Sequence, residues 1–192
     1  MDTANELSIT RRGFCVAAGL GLAACAAGAN PVMAGAVAPD AAVAATADLP
    51  EFELLGDGDL KTYLLVFHTG QEVMKGLLAF AREQRLVAGH LTGIGAISEA
   101  VVGYFDPETN RYLRIREPGQ HEVLSVTGNL ALYDGAPFYH VHVALGLRDG
   151  SARGGHLFEM TVRPTVELVL TTYPKPMRRT IDPGTGLPLL AA

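Results

Sequence analysis

The stretch that decides the fold is P-F-Y-H-V-H-V-A-L-G-L-R-D-G-S-A-R-G-G-H, residues 137–156. It combines an alternating apolar run with a turn cluster and three histidines, His140, His142 and His156. Because successive side chains of a strand point to opposite faces, His140 and His142 share one face with Phe138. The opposite face is apolar and consists of Tyr139, Val141, Val143 and Leu145. We therefore predict a strand that buries one face and leaves the histidine face available for chemistry.

The turn after this strand decides whether His156 joins the other two histidines. If residues 148–150 form a three-residue loop with the glycine in the left-handed conformation, His142 lies opposite His156 on the same face. If residues 149–150 form a two-residue turn instead, His156 faces the other way, because a one-residue slip flips the strand. A bulge at residues 154–155 would restore the facing. The sequence leaves these geometries open, and two of the three bring the imidazoles together.

Composition points to one soluble globular domain. A length of 192 residues suffices for one domain with a substantial core once an N-terminal segment is set aside. The hydrophobic fraction of 48% and the formal net charge of −5 are those of an ordinary globule. An acidic domain has little attraction for the phosphate backbone of DNA, so the charge argues against nucleic-acid binding.

Residues 1–36 have the features of an export signal. The segment T-R-R-G-F at 10–14 resembles the twin-arginine motif, and an apolar run at 14–27 and the small residues A-G-A at 34–36 follow it. The run is shorter than the roughly 20 residues of a spanning helix, which argues against an uncleaved anchor. We therefore expect an exported, periplasmic domain. Cleavage leaves the net charge unchanged, because the signal holds two acidic and two basic residues.

A second processing route is also open. The segment L-A-A-C at 22–25 resembles the lipobox of bacterial lipoproteins, in which Cys25 would become an acylated first residue that anchors the protein to the membrane. The apolar residues that continue past Cys25 favour ordinary cleavage near Ala36. Both cysteines, Cys15 and Cys25, lie in the signal, so a domain cleaved at Ala36 has neither a disulfide nor a thiolate metal ligand.

The rest of the chain predicts an α+β domain, with a largely antiparallel sheet of about eight short strands and one main covering helix. We place the domain at residues 51–173, after a flexible Ala-rich leader at 37–50 and before an irregular Pro- and Gly-rich tail at 174–192. Besides the strand with the histidine pair, strands are predicted at 52–55, 61–68, 90–97, 99–105, 111–116, 123–132 and 165–172.

The predicted helix spans residues 70–86. Thr69 can cap its start and Glu72 can return a hydrogen bond to the cap, as in a capping box. Gly89 fits just past its end. An apolar stripe at helical spacing indicates that this helix covers the sheet, and the stripe consists of Val73, Leu77, Phe80 and Ala81.

Other polar patterns are predicted to lie outside the site. The segment G-I-G at 93–95 lacks the third glycine of a nucleotide fingerprint and opens no helix, so we predict no dinucleotide cofactor. The arginines of 111–116 are typical of a solvated strand face. Glu159 has odd parity relative to His156 and takes the other face unless a bulge intervenes. Three further histidines are scattered along the sequence, namely His68, His90 and His121.

Five ordered motifs carry a resemblance to a known family. They are G-I-G-A at 93–96, G-Y-F-D at 103–106, G-N at 128–129, P-F-Y-H-V-H at 137–142 and G-G-H-L at 154–157. In this order they resemble the PPC domain, named for its presence in plants and prokaryotes, over roughly residues 63–173. The resemblance implies an antiparallel α+β domain that assembles as a homotrimer.

The resemblance also bears on partners and metals. Plant members accompany AT-hook segments in nuclear DNA-binding proteins, but this acidic chain lacks the Arg-Gly-Arg-Pro core of an AT-hook. The fold is also similar to that of acetolactate decarboxylase, whose zinc is held by a His-x-His pair and a later histidine. His140, His142 and His156 match that arrangement in type, order and approximate spacing.

Three converging imidazoles suit zinc or another divalent metal with an open position for water. The alternative is that the histidines only form hydrogen bonds within the sheet or at a trimer seam. Two functions follow: an exported metal-binding protein, with an enzyme of the lyase or hydrolase kind left open, or a non-catalytic trimeric binding module, with DNA binding as its family version. A small-molecule ligand is compatible with the first. No catalytic residue or reaction follows from the sequence.

Overall fold

Long, bent strands carry the fold. The computed structural model describes residues 47–191, which form eight strands in one sheet and a single helix. The elements are β1 Glu51–Asp57, β2 Lys61–His68, α1 Val73–Glu83, β3 Gly89–Asp106, β4 Arg111–Tyr133, β5 Ala136–Gly146, β6 Ala152–Thr172, β7 Arg178–Ile181 and β8 Pro188–Ala191. Over the same residues the β4–β7 pairing is parallel and the other strand pairings are antiparallel. The predicted α+β class with a largely antiparallel sheet is confirmed.

Four strands close on one another around the core. β3 pairs with β4 on one side and β6 on the other, and β5 joins β4 to β6. The β1–β2 hairpin extends the sheet from β6. α1 packs its apolar stripe into the same core, and the predicted residues of this stripe are all fully buried. The apolar face of β5 is buried as predicted, since Tyr139, Val141, Val143 and Leu145 are at most 5% exposed.

The start of α1 differs from the prediction. Glu72 itself is the N-cap, and its carboxylate accepts hydrogen bonds from the backbone N–H groups of Met74 (3.0 Å) and Lys75 (2.8 Å). Thr69 instead donates to the carbonyl of Pro164 across the sheet at 3.1 Å. Thr69 is therefore not the cap, because tertiary contacts hold it away from the first turn. No capping box forms.

The end of α1 was also predicted at the wrong residue. Arg85, with φ of 53°, is the residue that takes the left-handed conformation after the last turn. Gly89 is the first residue of β3 and has a different role. A Cβ there would lie 2.8 Å from the carbonyl oxygen of Thr171, so glycine allows β3 to approach β6 closely.

Several predicted strands are pieces of longer ones. The segments at 90–97 and 99–105 form the single strand β3, with irregularities between Gly93 and Gly95 and between Ile97 and Glu99. The predicted strands at 111–116 and 123–132 likewise form the single strand β4, in which Pro118 lies opposite Glu99, next to one of these bulges. A bulge tolerates proline and bends a strand without ending it. Pro118 and Gly119 therefore do not separate two strands.

The C-terminal segment is more regular than predicted. Residues 174–192 were expected to be irregular, but they contain the β7–β8 hairpin. Asp182 stabilises its turn by accepting hydrogen bonds from the backbone N–H (2.8 Å) and hydroxyl (2.7 Å) of Thr185. β7 pairs with the end of β4 through Leu132 and Arg178. This hairpin places the buried Arg179, which is 6% exposed, against the sheet.

The predicted signal, its lipobox and most of the leader lie outside the described residues. The last residues of the predicted leader, 47–50, contact the start of α1. Asp48 accepts a hydrogen bond from the backbone N–H of Glu72 at 2.8 Å, and the carbonyl of Leu49 accepts one from Gln71 at 2.9 Å. Over the part of the chain that the structure describes, no helix has the length and apolar character needed to cross a membrane.

Candidate metal centre

The loop between β5 and β6 has three residues. Leu147 and Ser151 pair through a backbone hydrogen bond of 2.8 Å, and Gly150 takes the left-handed conformation with φ of 83°. The pairing that follows is unbroken and places His142 opposite His156. The first of the three predicted turn geometries is therefore confirmed, and no bulge at residues 154–155 is needed between these strands.

His140, His142 and His156 form one cluster. One ring nitrogen of each lies within 4.8 Å of those of the other two. The Nε2 atoms of His140 and His142 face each other at 3.1 Å. Two nitrogens that share a tetrahedral zinc ion lie about 3.3 Å apart. The separation of this pair is close to that value and also lies within hydrogen-bond range. The donor set is neutral nitrogen without thiolate, which suits zinc and other divalent transition metals.

The ring of His156 has a buried polar atom without a partner. Its Nδ1 forms no hydrogen bond with any atom of residues 47–191, although buried ring nitrogens are normally satisfied. Burial, with the nearby His140, lowers the pKa of His156 to about 3. Burial and the charge of Arg179 lower the pKa of His140 to about 4. Both rings are therefore neutral at pH 7 and keep the lone pair that a metal ligand needs.

Two aromatic rings hold His156 in place. The Tyr112 and Phe158 ring centroids each lie 4.8 Å from that of His156. Gly103 lies opposite His156 on β3, where a Cβ would come within 2.5 Å of the Phe158 ring and 2.9 Å of the Tyr112 ring. A glycine at this position leaves the space that these rings occupy. The site-facing orientation of His156 thus depends on packing from β3, β4 and β6.

A bulge intervenes in β6 between His156 and Glu159, so the simple alternation that would place Glu159 on the other face is broken. β3 pairs Val101 with Glu159 and Val102 with Leu157, which leaves Phe158 as the extra residue. Glu159 is exposed and forms an ion pair of 2.7 Å with Arg114. Arg114 also covers the Phe158 ring at 4.0 Å. The structure thus assigns Glu159 to an ion pair beside the cluster.

An open cavity of about 370 Å³ adjoins the histidines. Besides His140 and His142, its lining consists of His90, Thr127, Gly128 and Asn129. The strand register explains this set, since Thr127 lies opposite His142, and Asn129 lies between His140 and His90. The cavity was not predicted from the sequence. The alternation of side chains along β4 around the G-N motif at 128–129 was the sequence signal that could have indicated this cavity.

His90 is the one scattered histidine that reaches the cavity. Its Nδ1 lies 2.7 Å from the Tyr173 hydroxyl. His68 instead contacts Glu51 at 3.1 Å, and His121 contacts the carbonyl of Gly119 at 2.8 Å. Neither lines the cavity.

Arg179 is a neighbour of the cavity that the sequence did not predict. It comes from β7, and its guanidinium donates to the Asn129 side-chain oxygen and, at 2.8 Å, to the carbonyl of Pro188. It also lies over the ring of Phe138, 5.1 Å from its centroid. A cation is therefore fixed behind the cavity wall.

A model of a known protein family matches most of the residues that the structure describes. The model of the Plants and Prokaryotes Conserved (PCC) domain matches residues 56–174. The chain belongs to the PCC domain family. This confirms the resemblance drawn from the five motifs, since a similar solved structure carries the plant- and prokaryote-conserved (PPC) name. Arg179 lies beyond the matched residues of the PCC domain.

Solved structures resemble this PCC domain over most of their length. A metal-containing protein from Archaeoglobus fulgidus is 35% identical, with a TM-score of 0.64, over 75% of this chain and 99% of that one. The PPC protein from Pyrococcus horikoshii is 32% identical, with a TM-score of 0.65, over 74% and 95%. A provisionally assigned DNA-binding protein from Bacteroides thetaiotaomicron is 29% identical, with a TM-score of 0.68, over 73% and 96%.

More distant or partial similarities add less. Two Synechococcus proteins named bifunctional protein GlmU are 34% and 33% identical over 69% and 67% of this chain. The chain spans about a fifth of the length of these curated relatives, 20% in each case. A Staphylococcus aureus protein described as similar to alpha-acetolactate decarboxylase has a TM-score of 0.44 at 11% identity, which supports no functional inference.

Proposed function

We propose that this PCC domain binds one divalent metal, zinc in the first instance, through His140, His142 and His156. The observation that carries the proposal is the pair of opposed Nε2 atoms 3.1 Å apart beside the unpartnered Nδ1 of a third ring. If the three histidines only formed hydrogen bonds, the buried Nδ1 of His156 would be expected to have a partner. The similar Archaeoglobus fulgidus protein is described as metal-containing, which supports the same reading.

The chemistry of such a metal fits an open cavity. With three protein ligands, zinc keeps a position for water or for a ligand, acidifies bound water and polarises carbonyl groups. The chain supplies neutral imidazoles, a rigid aromatic support for His156 and access through the cavity beside His140 and His142. These features are compatible with a lyase or hydrolase and equally with a ligand-binding protein.

Elemental analysis of the full-length protein tests the metal site. We expect about one metal per chain in the wild type. His142→Ala removes one of the opposed nitrogens and should lose most of the metal. His90→Ala is the matched control, because His90 lines the same cavity but lies outside the cluster, and this variant should keep its metal. Full metal content in His142→Ala would contradict the proposal.

DNA binding is the second candidate function. The similar proteins from Bacteroides thetaiotaomicron and Ralstonia eutropha are described as provisional DNA-binding proteins. Two of the three arginines of β4 do not favour it here, because Arg114 pairs with Glu159 and Arg116 pairs with Glu99. Salt-dependent retardation of duplex DNA by the purified protein would support this function. No retardation at low salt would exclude it.

We also propose that residues 1–36 direct export by the twin-arginine route, on the motif evidence given above. A full-length fusion to a periplasmic reporter should lose export when Arg11 and Arg12 are both replaced by lysine. Mass analysis of the exported chain then separates the two processing routes. A start near Ala36 indicates ordinary cleavage, and a lipid-bearing Cys25 indicates a lipoprotein.

Assembly as a homotrimer is a further part of the proposal. It rests on the family resemblance and on an exposed apolar pair on β3 and β4, since Tyr104 and Leu113 face each other in register and are 63% and 61% exposed. Ile94 and Leu124 add apolar surface at 60% and 54% exposure. Sedimentation equilibrium should return three times the chain mass. A monomer at all concentrations would contradict it.

A further inference from the structure

The orientation of the Asn129 side chain is fixed by Arg179. The Arg179 guanidinium carries only hydrogen-bond donors, so the carboxamide atom that it contacts must be the oxygen, Oδ1. The other branch of the amide, Nδ2, is therefore directed away from Arg179. Nδ2 donates to no atom of residues 47–191, and Asn129 lines the cavity beside His140 and His142. A hydrogen-bond donor is thus held ready at the cavity wall.

Arg179 is itself held rigidly. Its side chain is 6% exposed, donates to the Pro188 carbonyl at 2.8 Å and lies over the Phe138 ring. Pro188 begins β8, so both strands of the C-terminal hairpin contribute to the support. Burying a guanidinium is costly unless it is paired, and a pairing with a neutral amide leaves its positive charge uncompensated. The wall behind the cavity is therefore both rigid and positively charged.

The charge of the site selects the class of ligand. The cavity lining contains no carboxylate among the described residues. Three neutral imidazoles leave the two positive charges of a divalent metal uncompensated, and Arg179 adds a third nearby. A small anion would offset this charge. A carboxylate has two acceptor oxygens, so one oxygen can bind a metal while the other accepts a hydrogen bond from an amide.

We propose that Asn129 is a ligand-binding residue of the metal centre, and that its Nδ2 donates a hydrogen bond to a small carboxylate bound at the metal. Arg179 acts as a positioning residue, because it sets which end of the Asn129 amide faces the ligand. The inference rests on the proposed metal site. It assigns a role to a hairpin that lies outside the matched family residues.

Acetate binding to the cobalt-loaded full-length protein tests this assignment. Cobalt(II) can occupy a site built for zinc and reports its ligands through visible absorption. Acetate replaces perchlorate in steps at constant ionic strength, and the change in the cobalt spectrum gives the affinity of the protein for acetate. Asn129→Asp keeps the shape and keeps an oxygen towards Arg179, but replaces the donor with a charged acceptor. We expect acetate to bind about tenfold or more weakly, at unchanged cobalt content.

Further variants make the result specific. Asn129→Ala removes the donor without adding charge and should also weaken acetate binding, which covers the case in which Asn129→Asp fails to fold. Arg179→Met lets the amide rotate and should give a smaller loss. Arg82→Gln makes an equal change of net charge on the exposed face of α1 and should bind acetate like the wild type.

The outcomes separate this inference from the metal proposal. If cobalt binds and acetate affinity is unchanged in both Asn129 variants, the inference is overturned and the metal site stands. The same conclusion follows if acetate leaves the wild-type spectrum unaltered. If the wild type takes up no cobalt, the proposed function fails and the inference fails with it.

Discussion

The backbone of His142 lies directly opposite that of His156, and the two rings are nearly perpendicular with their centroids 5.6 Å apart. This relationship follows from one loop of three residues, because a loop shorter by one residue would turn His156 to the opposite face. His140 lies two residues from His142 on the same strand, with its ring centroid 5.1 Å from each of the other two. The candidate metal centre is thus a consequence of strand register.

The conformation of Gly150 should contribute to stability. Gly150 has φ of 83°, which disfavours any residue with a Cβ, so Gly150→Ala should lower the free energy of unfolding by about 1 kcal/mol. Denaturant unfolding monitored by circular dichroism measures this. Gly58→Ala is the control, because its Cβ would meet no atom within 4 Å, and it should be neutral or slightly stabilising. Equal effects of the two substitutions would contradict the assigned loop geometry.

The space at Gly103 should control the position of His156. Gly103→Ala places a methyl group 2.5 Å from the Phe158 ring, so the rings must move. We expect about 1–3 kcal/mol of destabilisation and weaker metal binding. Combining it with Phe158→Leu should restore part of the stability, since the shorter side chain frees space. Metal titration together with thermal unfolding checks both effects, and an unaltered metal affinity would show that His156 does not depend on this packing.

The metal-free protein should lose stability on acidification. The pKa of His140 falls from an ordinary 6.5 to about 4 in the fold, and that of His156 to about 3. Below pH 6.5 these two histidines therefore bind protons in the unfolded chain but remain neutral in the folded chain. The free energy of unfolding consequently declines as the pH falls from 6.5 towards 4. Unfolding temperatures over this range measure the slope. His156→Asn should show a shallower decline than the wild type, and an identical decline would contradict the burial of this group.

The hydroxyl of Tyr139 should cost stability. It is buried in the core and has no hydrogen-bond partner in residues 47–191, and burial raises the pKa of the phenol. Tyr139→Phe removes the unsatisfied group and keeps the ring, so it should be neutral or raise the free energy of unfolding by about 1 kcal/mol. Tyr133→Phe, at a half-buried side chain outside the core, is the matched control and should change little. A marked loss in Tyr139→Phe would reveal a partner for the hydroxyl.

Local patterns in the sequence were enough for much of this protein. The alternation at residues 137–147 predicted which face of β5 is buried, and helical spacing predicted the stripe of α1. Five short motifs were sufficient to recognise the family. Each of these features depends on residues close together in the chain, where backbone periodicity alone decides which side chains share a face.

Tertiary structure decided the remainder. The predicted break between the strands at 111–116 and 123–132 is a bulge within β4. Glu72 and not Thr69 caps the helix, because Thr69 is bonded to β6. The contact of Arg179 with Asn129 joins residues 50 positions apart. No periodicity connects such residues. Only the closing of β3, β4, β5 and β6 into one sheet, with the C-terminal hairpin added to β4, brings an arginine behind the wall of a histidine site.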